Sequence, residues 1–381
     1  MNIHLLRRWD IFCRVVDNFG DIGVSWRLAR QLACEHGLQV RLWVDQLSSL
    51  RALCPQVDDG ALRQMVNGVE VFLWNDGRDF PPPADTVIEA FGCGLPPRYV
   101  DAMAALEIKP LWIVLEYLSA EPWVREHHGL PSPHPQLGLP RYFFFPGFSA
   151  GTGGVLREAD LPARRDAFNE QTRRACWSRW GFEAVPAKAL AVSLFAYSHA
   201  PFPALLEVCA KGASAVVMAI PEGPLALCVR EHLRCGAVQC TRLQNLEVRF
   251  VPFLPQVDYD ELLWACDVNF VRGEDSFVRA QWARRPFVWH IYPQAENAHQ
   301  AKLDAFLNVY GHMLPAPAAH AVRGLWHAWN EADGASLFPD AWQSFINALP
   351  AQRAGLRHWQ DRLTQTGDMA GNLVKFCQKM I

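Results

Sequence analysis

The sequence lacks the short motifs and long runs that mark several classes of protein. It contains no Cys-x-x-Cys and no His-Glu-x-x-His, the spacings typical of zinc sites. It contains no run of about eighteen apolar residues, and residues 1–8 precede no long apolar segment, so neither a transmembrane helix nor a secretion signal is predicted. A net charge of −3 without a long Lys/Arg run argues against nucleic-acid binding. We therefore expect a cytoplasmic protein with no membrane and no nucleic-acid partner.

Cysteine and histidine do not indicate a metal site. The eleven cysteines are irregularly spaced, and those in apolar runs are interpreted as buried thiols of a reducing compartment rather than as disulfides or zinc ligands. The three histidines of residues 127–134 lie in a segment rich in proline and glycine, which predicts a solvated loop without a metal. The cysteines in apolar runs are Cys13, Cys93, Cys209 and Cys266.

Length and apolar rhythm predict two α/β domains. At 381 residues, the chain exceeds the roughly 250 to 300 residues that one hydrophobic core usually supports. Apolar strands alternate with helical segments in both halves, which is typical of doubly wound sheets, and residues 122–140 are expected to form a long loop. The predicted strands are 9–16, 39–44, 69–74, 86–91, 111–118, 141–148, 189–197, 213–220, 246–253, 268–271 and 287–292. The predicted helices include 23–35, 277–282, 296–307, 319–330 and 342–380.

Residues 17–23 (Asp-Asn-Phe-Gly-Asp-Ile-Gly) place two carboxylates where the first predicted strand turns into a helix. In open α/β sheets this kind of junction binds ligands, because strand carboxyl ends and free helix N–H groups converge there. One aspartate would suffice as a helix cap with glycines for the turn. Since Asp17 and Asp21 together exceed that need, we predict a functional site.

A second junction, residues 271–277 (Val-Arg-Gly-Glu-Asp-Ser-Phe), follows an apolar strand in the second half. Free N–H groups at a helix start bind anions, and Arg272 adds a charge-assisted contact to a phosphate. Glu274 and Asp275 would repel a phosphate, so we expect their side chains to point elsewhere. The alternative is a capped helix with Arg272 paired to a neighbouring carboxylate.

The segment upstream of this junction, residues 250–261, offers weaker signals. Phe253 beside a proline turn is suited to stacking on a nucleobase, and the Gln256 amide to reading a base edge. Asp258 and Asp260 match the Asp-x-Asp metal motif of many glycosyltransferases. Asp258 with Glu261 also fits a capping box, which we favour over the metal motif.

Several of these stretches together resemble the EarP family, the bacterial protein-arginine rhamnosyltransferases that modify translation elongation factor P (EF-P). The resemblance spans nearly the whole chain, and its first and last motifs are specific. Within these motifs, the sequence shows no departure from the family pattern at the positions expected to be functional. The matching motifs are residues 9–32, 116–119 (Glu-Tyr-Leu-Ser), 145–148 (Phe-Pro-Gly-Phe), 151–154 (Gly-Thr-Gly-Gly), 195–197 (Phe-Ala-Tyr), 253–256 (Phe-Leu-Pro-Gln) and 272–276 (Arg-Gly-Glu-Asp-Ser).

The resemblance implies a GT-B glycosyltransferase fold, with two Rossmann-like domains that face a central cleft. Residues 1–187, completed by the C-terminal helix 352–381, would bind the acceptor, and residues 188–351 would bind the nucleotide sugar. The implied donor is dTDP-β-L-rhamnose, and the implied acceptor is one arginine on the N-terminal, KOW-like domain of EF-P. Transfer would invert the anomeric centre without a metal or a cofactor.

The resemblance also implies roles for individual residues. Asp17, Asp21 and Glu274 match the family's essential carboxylates. A guanidinium with a pKa above about 12 needs a base to become a nucleophile, so Asp21 is assigned as general base and Asp17 as its positioning partner, while Glu274 holds the sugar or the local loop. Phe253 and Gln256 would hold thymine. The other donor-binding residues would be Arg272, Asp275, Ser276, Tyr292, Gln294 and Tyr197.

Two alternatives from other classes remain at this point. A nucleotide-dependent oxidoreductase would share the doubly wound halves, but neither junction shows Gly-x-Gly-x-x-Gly. A non-catalytic binder of a translation factor would not explain acidic residues at both junctions.

Overall fold

The computed structural model describes residues 7–17, 19–75, 77, 79–135, 137–294, 298–331 and 334–380. These residues form two compact units. Unit 1 runs to Ala159 and resumes at Leu363, and unit 2 is Asp160–Arg362. The predicted arrangement of two doubly wound α/β halves is confirmed, whereas the acceptor and donor roles of the halves stay predictions. Among the residues described, no helix has the length and apolar character needed to span a bilayer.

Unit 1 is built on an eight-stranded sheet. Its strands are β1 Arg8–Cys13, β2 Gln39–Val44, β3 Arg63–Val66, β4 Val69–Leu73, β5 Thr86–Ala90, β6 Leu111–Leu115, β7 Pro131–Pro133 and β8 Pro140–Phe144. The spatial order is β3-β4-β2-β1-β5-β6-β8-β7, with β3 and β7 antiparallel at the edges and the others parallel. Strand order reverses between β1 and β5, which makes their carboxyl ends the topological switch point of this sheet.

The central strands of unit 1 are buried because helices cover both faces of a parallel sheet. Phe12 on β1 stacks on Trp43 of β2 with ring centroids 5.5 Å apart. Asp10 is also buried on β1, where it accepts from Arg41 in two 2.5 Å contacts and from the Trp43 indole at 3.0 Å. These donors offset the cost of burying a carboxylate.

Unit 2 is built on a six-stranded sheet. Its strands are β9 Leu190–Leu194, β10 Val216–Pro221, β11 Cys240–Leu243, β12 Leu246–Val251, β13 Val268–Arg272 and β14 Phe287–His290. The order is β11-β12-β10-β9-β13-β14, and only β11 among these strands is antiparallel to its neighbour. The switch point of this sheet therefore lies between β9 and β13.

Fifteen α-helices connect and cover the described strands. They are α1 Gly20–His36, α2 Leu47–Leu53, α3 Pro97–Ala105, α4 Trp123–His127, α5 Leu161–Ala167, α6 Glu170–Arg179, α7 Phe202–Lys211, α8 Pro224–Leu233, α9 Gln256–Ala265, α10 Asp275–Trp282, α11 Ala298–Gly311, α12 Ala316–Asn330, α13 Phe338–Asn347, α14 Leu349–Gln365 and α15 Met369–Lys379. All eleven cysteines are free thiols, and burial raises the pKa of Cys93 to about 12.

Several predicted segments differ from the observed ones. The single helix predicted over residues 342–380 is wrong, since that stretch forms the end of α13, then α14 and α15. Gly367, with φ of 80°, lies at the last break. The loop predicted at 122–140 contains α4 and β7. Helix α11 begins at Ala298, and Glu296, the predicted start, lies outside the described residues.

Candidate active site

In unit 1, the Asp21 carboxylate is held by three donors at the switch point. Asp21 lies in the first turn of α1 and is only 2 % exposed. Its Oδ2 accepts the backbone N–H groups of Val16 and Asp17, each at 2.9 Å, and its Oδ1 accepts the Tyr117 hydroxyl at 3.1 Å. Asp21 therefore folds back onto the loop after β1, and the N-cap position is Phe19 without a side-chain cap bond. The helix-cap alternative does not describe Asp21.

Asp17 belongs to the same loop and is half-buried. Its carbonyl accepts the Gly20 N–H at 2.6 Å. A Cβ at position 20 would come within 2.9 Å of the Asp17 Oδ2, so glycine leaves room for the Asp17 side chain to lie over the turn. The structure thus brings Asp17 and Asp21 together on one tight loop. Asn18, between them in the predicted motif, lies outside the described residues.

The contacts of Phe91 and Tyr117 were missed by sequence reasoning. Phe91 follows β5 and Tyr117 follows β6, and their rings stack with centroids 4.6 Å apart at 20°. Phe91 has a φ of 57°, and Gly92 and Gly94 after it also have positive φ. The sequence could have indicated these two residues, because both follow predicted strands whose carboxyl ends lie near the switch point.

In unit 2, the β13-to-α10 junction is tightened by its own side chains. Ser276 Oγ accepts the Arg272 N–H at 2.9 Å and donates to the Arg272 carbonyl. The Arg272 guanidinium lies 4.8 Å from the Phe195 ring centroid and 4.5 Å from that of Tyr197, a cation–π arrangement. Glu274 occupies the N-cap position of α10 but makes no side-chain cap bond. The side-chain cap in the predicted alternative is therefore wrong, whereas the pairing of Arg272 with a neighbouring carboxylate stays a prediction.

Asp275 and Gln256 point into the interior of unit 2. The Asp275 Oδ2 accepts the Gln256 amide at 2.9 Å and the Arg279 Nε at 3.3 Å. Arg279 also donates through Nη1 to the Asp260 Oδ1 at 2.8 Å. All four side chains are buried, so the charge of Arg279 lies between two carboxylates. The predicted base-reading residue Gln256 is thus bound to the second junction, and Tyr259 beside it has its pKa raised by burial and by Asp275.

The predicted capping box of Asp258 and Glu261 is wrong. Helix α9 begins at Gln256, its N-cap is Pro255, and no side chain caps it, so Asp258 lies inside the first turn. Glu261 accepts from the Arg179 guanidinium instead. In the part of the chain that the structure describes, no group of three or more His, Cys, Asp and Glu side chains is placed to hold a metal.

Tyr197, after β9, is surrounded by rings. Its N–H donates to the His290 Nδ1 at 3.2 Å, and its ring packs edge-on against Tyr292 at 5.7 Å and parallel to His199 at 5.7 Å. The pKa of His290 is lowered to about 3, chiefly by burial and to a lesser extent by the nearby His199, Arg272 and His299. His290 is therefore a neutral acceptor, which the sequence did not single out.

The predicted donor-binding residues share one edge of the unit 2 sheet. Tyr197 follows β9, the half-buried Phe253 follows β12, Arg272 ends β13 and Tyr292 follows β14. Carboxyl ends of parallel strands meet at one edge, where ligands bind in such sheets. Gln294 lies beyond Tyr292 and is exposed, and its N–H donates to the His299 Nδ1 at 3.1 Å.

Known proteins are similar to this chain over both units. Residues 9–378 fit the family model described as "Elongation-Factor P (EF-P) rhamnosyltransferase EarP". The chain belongs to the EarP family. The protein-arginine rhamnosyltransferases of Pseudomonas putida and Pseudomonas aeruginosa are 47 % and 46 % identical to it, over 97 % of this chain and 98 % of each relative. The EarP resemblance inferred from the sequence is thereby confirmed.

Solved structures agree with the EarP assignment. One that concerns EarP-mediated arginine glycosylation of translation elongation factor EF-P is 35 % identical, covers 98 % of this chain and 99 % of its own, and superposes with a TM-score of 0.69. MurG of Acinetobacter baumannii, at 13 % identity and a TM-score of 0.51, shares the fold alone. As an EarP member, this chain is a protein-arginine rhamnosyltransferase with the predicted GT-B fold. The oxidoreductase and non-catalytic alternatives are set aside.

Proposed function

We propose that this chain transfers L-rhamnose from dTDP-β-L-rhamnose to one arginine of EF-P, with inversion and without a metal or a cofactor. The proposed acceptor arginine lies on the N-terminal, KOW-like domain of EF-P, and the reaction takes place in the cytoplasm. The family description and the related solved structure both name EF-P, which supports the acceptor. The observation that carries the chemistry is the Asp21 carboxylate, held by two backbone N–H groups and Tyr117.

The acceptor explains why carboxylates are needed in unit 1. A protonated guanidinium has no lone pair to attack with, and its pKa lies above about 12. A carboxylate that pairs with it orients one nitrogen and withdraws its proton as the new bond forms. Asp21 is the proposed base, because its fixed geometry directs the proton transfer. Asp17, on the same loop, positions the guanidinium or the base.

The reaction is a single displacement. The arginine nitrogen forms a bond to the anomeric carbon while the bond from that carbon to the diphosphate oxygen breaks. The bonding electrons leave with dTDP, and the nitrogen's proton passes to Asp21. One displacement on the opposite face inverts the anomeric centre, by the same reasoning as for inverting glycosidases.

The donor is proposed to bind to unit 2. The N–H groups at the positive end of the α10 dipole and the Arg272 guanidinium stabilise the charge of the leaving dTDP, which makes a metal unnecessary. Phe253 stacks on thymine, with Gln256 beside it, and Glu274 holds the sugar or the loop. The remaining proposed donor contacts are Asp275, Ser276, Tyr197, Tyr292 and Gln294.

The proposal is tested by incubating purified chain with EF-P and dTDP-rhamnose and measuring the intact mass of EF-P. We expect a gain of one deoxyhexosyl group, which peptide mapping places on a single arginine. A reaction without donor, and one with EF-P whose candidate arginine is changed to lysine, should show no gain. No mass change with active donor and folded EF-P would contradict the proposal.

A further inference from the structure

The donors to Asp21 come from two different segments. The N–H groups of Val16 and Asp17 belong to the loop that leads into Asp21 itself, and both bind Oδ2. The Tyr117 hydroxyl comes from the segment after β6 and binds Oδ1. Because aspartate rotates broadly about its last torsion, the two backbone donors alone leave the plane of the carboxylate less defined. A donor on the other oxygen fixes that plane.

Tyr117 is itself oriented by a strained residue. Phe91 stacks on it at 4.6 Å with a φ of 57°, a region that non-glycine residues rarely adopt and that persists where surrounding contacts enforce it. Here the Phe91 N–H donates to the Leu115 carbonyl at 2.7 Å, and Gly94 N–H donates to the Glu89 Oε1 at 3.1 Å. Glycine would adopt the backbone conformation of position 91 without strain. What phenylalanine adds at this position is therefore the ring that stacks on Tyr117.

We propose that Tyr117, oriented by the ring of Phe91, is a positioning residue that fixes the Asp21 carboxylate for proton transfer. This inference rests on the proposed function, because it assumes that Asp21 is the base. A catalytic base must be held within a fraction of an ångström of its working geometry. The hydroxyl also stabilises the charged form of the carboxylate, the form that accepts a proton.

The first test is Tyr117→Phe, which removes the hydroxyl and keeps the stacking ring. Tyr142→Phe, a hydroxyl lost elsewhere on the same sheet, is the matched control. We expect kcat for rhamnosyl transfer to fall about 10- to 100-fold, the scale of a hydrogen bond to a charged group. The donor KM and the Kd for dTDP should not change, and Tyr142→Phe should behave as wild type. A kcat within about twofold of wild type, or an effect confined to donor KM, would overturn the proposal.

The pH profile separates positioning from a general loss of structure. Without the hydroxyl, the acidic limb of kcat should move to higher pH in Tyr117→Phe, because the charged carboxylate is less stabilised. The limb should stay in place in Tyr142→Phe. A lower kcat with an unmoved limb would indicate a structural role and reject the proposed one.

Phe91→Gly tests the stacked ring without a new backbone strain. This variant should fold at least as well as Phe91→Leu, since glycine adopts positive φ freely, yet kcat should fall in both because Tyr117 loses its support. Wild-type kcat in Phe91→Gly would remove Phe91 from the proposal. If wild-type chain fails to modify EF-P, the proposed function itself fails. If wild-type chain modifies EF-P and Tyr117→Phe is equally fast, only this inference fails.

Discussion

Arg279 donates to Asp260 at 2.8 Å inside unit 2, and each of the two side chains is only 3 % exposed. The same guanidinium reaches Asp275 at 3.3 Å, so this buried pair connects α9 to the start of α10. Asp275 is also bound by Gln256. The geometry of the proposed nucleotide-binding residues therefore depends on an ion pair that is itself inaccessible to solvent.

Asp260→Ala should destabilise the fold and weaken dTDP binding together. Removing the Asp260 carboxylate takes one partner from the buried Arg279 charge, a loss of about 3–5 kcal/mol in unfolding free energy. Denaturant unfolding and calorimetric dTDP titration measure the two effects. Asp59→Ala breaks the exposed ion pair with Arg51 and should cost no more than about 1 kcal/mol. If Asp260→Ala and Asp59→Ala lost similar unfolding free energy and kept similar dTDP affinity, the proposed coupling of Asp260 to the nucleotide-binding residues would be contradicted.

Asp21→Asn should abolish most transfer and leave dTDP affinity unchanged. An amide cannot take the guanidinium proton, and loss of a general base costs about 10²–10⁴ in rate. Intact-mass analysis of EF-P measures turnover, and calorimetry measures dTDP binding. Asp101→Asn changes an exposed aspartate on α3 and should be neutral. Turnover near wild type in Asp21→Asn would reject the base assignment.

Phe253→Ala should weaken dTDP binding by roughly 1–3 kcal/mol, the value of one base–aromatic stack. Phe253 is half-buried at the carboxyl edge of the unit 2 sheet, so a bound thymine is proposed to cover its ring. Leu227→Ala, an exposed apolar residue of α8, is the control. Titrations that give equal Kd values for wild type and Phe253→Ala would exclude the stack.

A chelator should leave transfer unaffected if the leaving dTDP is stabilised by Arg272 and the α10 N–H groups. The measurement is initial rate with and without EDTA, followed by addition of Mg²⁺ or Mn²⁺. Loss of activity that a divalent ion restores would revive a metal role for Asp258. Asp258→Asn should then lose the same activity, whereas it should be neutral under the metal-independent proposal.

The parallel strands and the two acidic junctions were predictable because their signals are local. Residues 39–44 are rich in apolar residues and are observed as β2 with the predicted bounds. Strands β3 and β11 were missed because short edge strands carry exposed, polar residues. Asp17 and Asp21 were found because two charges at a strand end are unusual. The contacts of Tyr117 and Arg279 join residues distant in sequence, so only the folded chain reveals them.

His290 should make stability fall on acidification. Its pKa is about 3 in the fold, against 6.5 ordinarily, chiefly because it is buried. Between those two pH values the unfolded chain binds a proton that the folded chain does not. The unfolding free energy that depends on neutral His290 is therefore fully present above about pH 6.5. It is lost as the pH falls toward about 3, by at most about 1.4 kcal/mol per pH unit.

Denaturant unfolding at several pH values between about 7 and 4 isolates this effect by comparison with His290→Asn. The asparagine carbonyl can still accept the Tyr197 N–H, which His290 Nδ1 accepts at 3.2 Å, but it does not titrate. The variant should therefore lose less stability on acidification than wild type, because the other titrating groups contribute equally to both. His320→Asn, an exposed histidine of α12, should keep the wild-type slope. Equal slopes for His290→Asn and wild type would show that His290 binds its proton equally well in the folded and the unfolded chain, and would contradict the prediction.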